Sequence, residues 1–189
     1  IKELGHWKEG KQNGLFQMYT EDGILIDSAN FKNGERDGLT EQYFSSTGKL
    51  RVSANYKEGM LEGEYKVYYP NGTLQGEVIY KNGEMNGEFK EYYENGNLWK
   101  RQEFKDNIPE GIYEIYYEDG TPQLKAKIKE GIVIEEKRFN RDGTLYDEDD
   151  DRVIISEPID NNFDDISFNE NEGEITITEV DEDEIIRTN

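Results

Sequence analysis

An aromatic or large apolar residue recurs along this chain at Trp7, Phe31, Tyr56, Tyr80, Phe104 and Ile128, at intervals of 24 or 25 residues. A fixed period in this range marks a repeat protein. One supersecondary unit cannot bury its apolar face alone and is held by stacking on its neighbours. Glycines keep the same register. They stand at Gly10, Gly34, Gly59, Gly83 and Gly131, then at Gly14, Gly38, Gly63, Gly87 and Gly111, then at Gly23, Gly48, Gly72, Gly96, Gly120 and Gly143, which is 16 of the 19 in the chain. Asn107 fills the one gap in the first set. Asn is among the non-glycine residues most tolerant of positive φ, so these positions read as left-handed turns. Asp22-Gly23, Asn71-Gly72, Asn95-Gly96, Asp119-Gly120 and Asp142-Gly143 are hairpin dipeptides.

Between the turns, side chains alternate with period two. Tyr65, Val67 and Tyr69 share one face while Glu64 and Lys66 take the other; Tyr113, Ile115 and Tyr117 repeat this, as do Phe89 and Tyr93 around Glu91. In the following strand, Leu50, Val52, Ala54 and Tyr56, then Leu74, Gly76, Val78 and Tyr80, then Leu124, Ala126 and Ile128 are expected on the same apolar face. No stretch carries a helical stripe. The expected fold is all-β: an elongated antiparallel meander of tandem hairpins, two strands per unit, about six units over residues 1–146, with a short acidic C-terminal extension over residues 147–189.

A tyrosine five residues after the second glycine breaks the simple alternation. Tyr19, Tyr43, Tyr68, Tyr92 and Tyr116 point to the face otherwise held by Glu, Lys and Gln. The row is readable as a cross-strand ladder that covers the sheet or as a binding stripe. Trp99 is the other departure, an indole where the neighbouring units have Arg51, Gln75 and Gln123. Tyr43, Tyr68, Tyr92, Trp99 and Tyr116 are therefore the candidate partner-binding residues.

The strings Gly63-Glu64-Tyr65-Lys66-Val67-Tyr68-Tyr69-Pro70-Asn71-Gly72 and Gly87-Glu88-Phe89-Lys90-Glu91-Tyr92-Tyr93-Glu94-Asn95-Gly96 resemble the MORN repeat, over about residues 5–146. The common MORN unit is slightly shorter and has a second glycine where this chain has Tyr65, Phe89 and Tyr113. In that departure the chain resembles the bacterial variant of the repeat carried by YwqK-family antitoxins. The resemblance implies a stacked-hairpin fold and an interaction role, since MORN arrays serve as scaffolds, membrane-proximal modules and appendages of enzymes.

Charge divides the chain. Residues 147–189 hold 17 acids against Arg152 and Arg187, and carry −15 of the total −21. Such acidity argues against nucleic acid and anionic lipid and is compatible with a basic protein partner. Asp147-Glu148-Asp149-Asp150-Asp151 reads as a solvated linker, whereas Val153-Ile154-Ile155, Ile166-Ser167-Phe168 and Ile175-Thr176-Ile177-Thr178 are strand-like and are expected to cap the C-terminal edge of the array. The acids do not make an EF-hand, because Arg152 stands where glycine is needed and Pro158 where the bidentate Glu belongs.

The chain has no cysteine and one histidine, His6, so thiolate zinc sites, cysteine nucleophiles and histidine clusters are excluded. No enzyme activity, cofactor or metal is expected. No apolar run is long enough to span a membrane. The chain starts at Ile1 rather than Met, so cytoplasmic residence and export after loss of an N-terminal segment both stay open. Two functions follow: a non-catalytic protein-binding module of the antitoxin or immunity kind, taking a basic toxin-like partner through its aromatic sheet face and acidic tail, or a cell-surface or envelope scaffold or adhesion protein.

Overall fold

The structure, a computed structural model, describes residues 2–146, and within them the only regular secondary structure is β-strand. The strands are β1 Lys2–Leu4, β2 Trp7–Lys8, β3 Lys11–Gln12, β4 Gly14–Tyr19, β5 Leu25–Lys32, β6 Glu35–Tyr43, β7 Leu50–Lys57, β8 Met60–Tyr68, β9 Leu74–Lys81, β10 Glu84–Met85, β11 Gly87–Tyr92, β12 Leu98–Lys105, β13 Ile108–Tyr116, β14 Pro122–Lys129 and β15 Ile132–Arg138. Thirteen of them form one antiparallel sheet in which sequence neighbours are spatial neighbours; β2 and β3 pair separately. The expected meander is what forms. The strand-like segments after residue 147, and the capping role expected of them, lie outside the described residues.

Each unit has two different turns, and the two-residue turn is not at the dipeptides singled out above. It lies at the first glycine. Glu9, Asn33, Glu58, Asn82, Asp106 and Glu130 have φ of 51° to 54°, and each is followed by a residue at 65° to 91°. Two consecutive left-handed residues make a type I′ turn, whose twist matches the flanking strands. The third glycine ends a longer loop. There Tyr69 N bonds Thr73 O, Gly72 N returns to Tyr69 O at 2.8 Å, and Gly72 alone takes positive φ. Asn71 contributes its side chain instead: Oδ1 accepts from Thr73 N at 2.7 Å, as Asn95, Asp119 and Asp142 do two residues before Asn97, Thr121 and Thr144. The loop after Tyr43 holds one more residue, closed by Gly48 N on Phe44 O, and this insertion accounts for the single 25-residue interval.

The second glycines also have positive φ, from 76° at Gly111 to 137° at Gly87. At three of these places, Gly38, Gly63 and Gly111, the ladder slips, as between Ala54 and Tyr56. The slip turns the hairpin tip out of line with its arm. In the first unit the tip is a ladder of its own: Trp7, in the separate β2–β3 pair, sets its ring edge-on to Phe16 of β4 at 5.6 Å. Gly5 runs so close to Phe16 that a Cβ there would overlap the ring. The tips also bond to one another. Gly34 N donates to Gln12 O, Gly59 N to Arg36 O, Gly83 N to Leu61 O, Asn107 N to Met85 O and Gly131 N to Pro109 O, all at 2.9–3.0 Å.

The core is a row of apolar side chains on one face of the sheet. Phe16, Ala29, Val52, Ala54, Val67, Val78, Phe89, Phe104, Ala126 and Ile128 are at most 6% exposed. Cross-strand pairing places them on one face, with Ala54 opposite Tyr65, Tyr65 opposite Val78 and Val52 opposite Val67. Ring edges meet ring faces along it, Phe16–Phe31 at 5.3 Å, Tyr65–Tyr80 at 5.9 Å and Phe89–Phe104 at 6.4 Å. Burying each Val or Phe contributes about 1.5–3 kcal/mol.

Leu50 and Leu74 are the exceptions to the predicted face. A slip between Gln42 and Tyr43, and another between Val67 and Tyr68, pairs Leu50 with Tyr43 and Leu74 with Tyr68. The leucines therefore back the tyrosine row. Arg51 and Gln75 are the extra residues that the slips insert, and Trp99 occupies the same place between Leu98 and Lys100.

Candidate functional site

The tyrosine row forms as predicted, and three of its hydroxyls are already engaged. Tyr43 donates to Glu41 Oε2 at 2.8 Å, Tyr92 to Glu77 Oε1 at 2.9 Å and Tyr116 to Glu114 Oε2 at 2.7 Å. Burial, with the neighbouring carboxylate next, pushes all three phenols up to about 12. Each ring is half-buried over a leucine or, for Tyr116, over Pro122. The row acts as the covering ladder and still shows ring surface.

Beside it runs a line of mixed charge. Ser53, Lys66, Glu77, Lys90, Arg101, Glu114 and Lys125 face one another from strand to strand. Arg101 Nη2 lies 2.6 Å from Glu114 Oε2 and Lys125 Nζ 3.5 Å from Glu114 Oε1. Burial pushes the Glu114 carboxyl up, but the Tyr116 hydroxyl and the two cations outweigh it and hold it below its ordinary value. The charges on this face are largely compensated.

Trp99 is not part of the row. It stacks obliquely on Tyr93, with centroids 6.1 Å apart and planes at 47°, and is 41% exposed. Tyr93 belongs to a second set of tyrosines, directly before the loops, that sequence reasoning placed with the apolar face without giving them a role. Their hydroxyls cross to the next unit: Tyr69 donates to Tyr92 O and Tyr93 to Tyr116 O, both at 2.8 Å, and Tyr117 to Phe139 O at 3.5 Å. The signal available in the sequence is the Tyr-Tyr pair at 68–69, 92–93 and 116–117, where three successive loops open on a tyrosine while the others open on Thr20, Phe44 and Asn140.

Around this ring pair the loops are acidic. Glu94, Glu118 and Asp119 are exposed and form no ion pair among the described residues. Glu91 lies behind, 3.6 Å from Lys100 Nζ, its carboxyl raised by burial despite that cation. Thus the five predicted residues fall into two sites: Tyr43, Tyr68, Tyr92 and Tyr116 in a row over compensated charge, and Trp99 beside Tyr93 and the acidic loops. Among the described residues, no group of three or more His, Cys, Asp or Glu side chains is arranged to hold a metal ion, and no helix is long and apolar enough to cross a membrane.

The stacked hairpins, stitched from tip to tip and from loop to loop, define a tandem β-hairpin repeat protein whose accessible surface is aromatic and charged. Four of the repeats are MORN repeats of the variant kind: the family model described as MORN repeat variant matches residues 12–33, 61–82, 85–106 and 109–130. Each match starts just after one two-residue turn and ends on the first residue of the next. The intervening stretch 34–60 has the same strands and turns and differs by the lengthened loop at Ser45–Gly48. No curated protein matches the chain. MORN repeats are non-catalytic modules that generally bind proteins or membranes.

Proposed function

We infer that the array is a protein-binding module of the antitoxin or immunity kind, which takes a basic protein partner through its aromatic surface and its acidic C-terminal extension. One observation carries the reading. Half-exposed rings stand at the loop end of successive units beside exposed Glu94, Glu118 and Asp119, which form no ion pair among the described residues, Arg141 alone coming within electrostatic reach of Asp119. Rigid rings supply contact area at low entropic cost, and uncompensated carboxylates supply steering and choice of partner. Residues 147–189 add −15 of charge to the same chain.

The test is capture of the partner from the native cell on the full-length chain, followed by reconstitution of the purified pair. A basic partner whose own toxicity or enzymatic activity is suppressed in the complex supports the reading. An acidic or neutral partner, or a complex that leaves the partner active, contradicts it.

A further inference from the structure

The last unit of the array already carries a cation on one of its loop-end rings. Arg141 sets its guanidinium over the ring of Tyr117 at 5.1 Å from the centroid. Arg141 is the first residue after Asn140 in the loop closed by Asn140 N on Thr144 O. In the loop before, closed by Tyr117 N on Thr121 O, the same position is Glu118; one loop earlier it is Glu94. Tyr117 therefore has a cation of the following unit on its ring, whereas Tyr69 has Glu94 beside it and Tyr93 has Glu118, with Arg141 acting on Tyr93 only from beyond it.

Those carboxylates are placed and held. Asn95 Nδ2 lies 3.4 Å from Glu118 Oε1 and 3.3 Å from Glu118 O, and Asn97 Nδ2 is 2.8 Å from the same carbonyl. Asp119 accepts from Thr121 N at 2.8 Å and stays a carboxylate. Burial first, and then Glu118, push the Tyr93 phenol up, so the acid lies within electrostatic reach of the ring. Trp99 supplies a second wall at 47° to the first. Indole offers the strongest cation–π surface among the side chains, and tilted ring pairs flanked by carboxylates are how proteins hold guanidinium and ammonium groups.

We propose that Tyr93 and Trp99, with Glu118 and Asp119 at the rim, form a contact site for an arginine side chain of the partner, which would lie on Tyr93 as Arg141 lies on Tyr117. The fork of the guanidinium suits the arrangement, stacking on the rings while its N–H groups reach the Glu118 carboxylate. This proposal rests on the basic-partner reading and names its point of contact.

The probe is an oligoarginine peptide, with the same peptide carrying citrulline in place of arginine as the neutral control. The protein is the full-length chain with Trp7→Phe, which leaves Trp99 as its single indole. Oligoarginine is expected to change Trp99 emission saturably and the citrulline peptide to leave it unchanged. By calorimetry, Trp99→Ala and Glu118→Arg should each weaken binding about fivefold or more; the second variant reproduces over Tyr93 the arrangement that Arg141 makes over Tyr117. Glu84→Arg, an equal charge change on an exposed hairpin tip, should alter affinity far less. Binding with no change in Trp99 emission, and with equal affinity in all three variants, overturns the site while leaving the basic-partner reading in place through the acidic extension. A full-length chain that binds no oligoarginine overturns both.

Discussion

The phenol of Tyr69 bonds the backbone carbonyl of Tyr92, 23 residues ahead, at 2.8 Å. A side chain of one unit thereby satisfies the main chain of the next. Tyr93 repeats the bond on Tyr116 O. Tyr93→Phe removes only the donor and should cost about 1 kcal/mol, read as a shift of the urea midpoint at constant slope. Tyr93→Ala also removes the ring and should cost about 2–4 kcal/mol. Tyr68→Phe, at the adjacent position whose hydroxyl makes no such bond, should fall within about 0.5 kcal/mol. Equal losses at Tyr93 and Tyr68 would show that the inter-unit bond contributes nothing.

Turn chemistry gives a prediction of opposite sign. Glu58 sits at φ 51° and Gly59 at φ 81° in a two-residue turn. A left-handed Glu is strained by about 1–2 kcal/mol, and Asn tolerates the region better. Glu58→Asn should therefore raise stability by about 0.5–1 kcal/mol and Gly59→Ala lower it by about 1–2 kcal/mol, both measured by thermal unfolding. A neutral Gly59→Ala would contradict the turn assignment.

Two carboxylates should respond to pH in opposite directions. The Glu91 carboxyl is raised by burial, with Lys100 offsetting part of the cost. The unfolded chain releases its proton more readily than the folded one, so ionisation opposes folding, and Glu91→Gln should increase stability at pH 7 and lose that advantage as the solution is acidified. Glu114 is held below its ordinary value of 4.5 by Tyr116, Arg101 and Lys125, which together outweigh its burial. Its contribution is complete above that ordinary value and disappears as pH falls through the lowered folded value. Glu114→Gln should cost about 1–3 kcal/mol at pH 7, and the deficit should vanish in acid. Urea titrations of both variants at neutral and acid pH check the pair, and parallel responses would refute the assignment.

Much of this architecture is legible in the sequence, because glycine and the Asn-Gly and Asp-Gly dipeptides mark backbone geometry directly. The period, the turns, the tyrosine row and the apolar face carrying Val52, Val67 and Val78 all follow from them. Glu58-Gly59 is a poor two-residue turn by composition, so the tighter turn was assigned to Asn71-Gly72, where Asn71 in fact bonds the backbone of Thr73. Leu50 changed faces because one inserted residue, Arg51, shifts the pairing against Tyr43, and alternation cannot signal a slip. The seating of Trp7 on Phe16 depends on the turn of the chain at Gly14, which the sequence marks but does not orient. Trp99 was identified as an anomaly, yet its partner Tyr93 lies six residues away across a loop and belongs to a set given no separate role.

The central claim is that the aromatic loop end and the acidic extension together hold a basic protein. Its most direct measurement is the affinity of the purified partner for the full-length chain across a salt series, compared with a chain in which Asp147, Glu148, Asp149, Asp150 and Asp151 are replaced by their amides and with Trp99→Ala. Screening should weaken the wild-type complex steadily as the Debye length falls from about 10 Å toward 3 Å. The amide chain should show a shallower salt dependence, and Trp99→Ala should lose more than about 1 kcal/mol of affinity at every salt concentration with an unchanged unfolding midpoint. A complex indifferent to salt and to Trp99→Ala would contradict the claim.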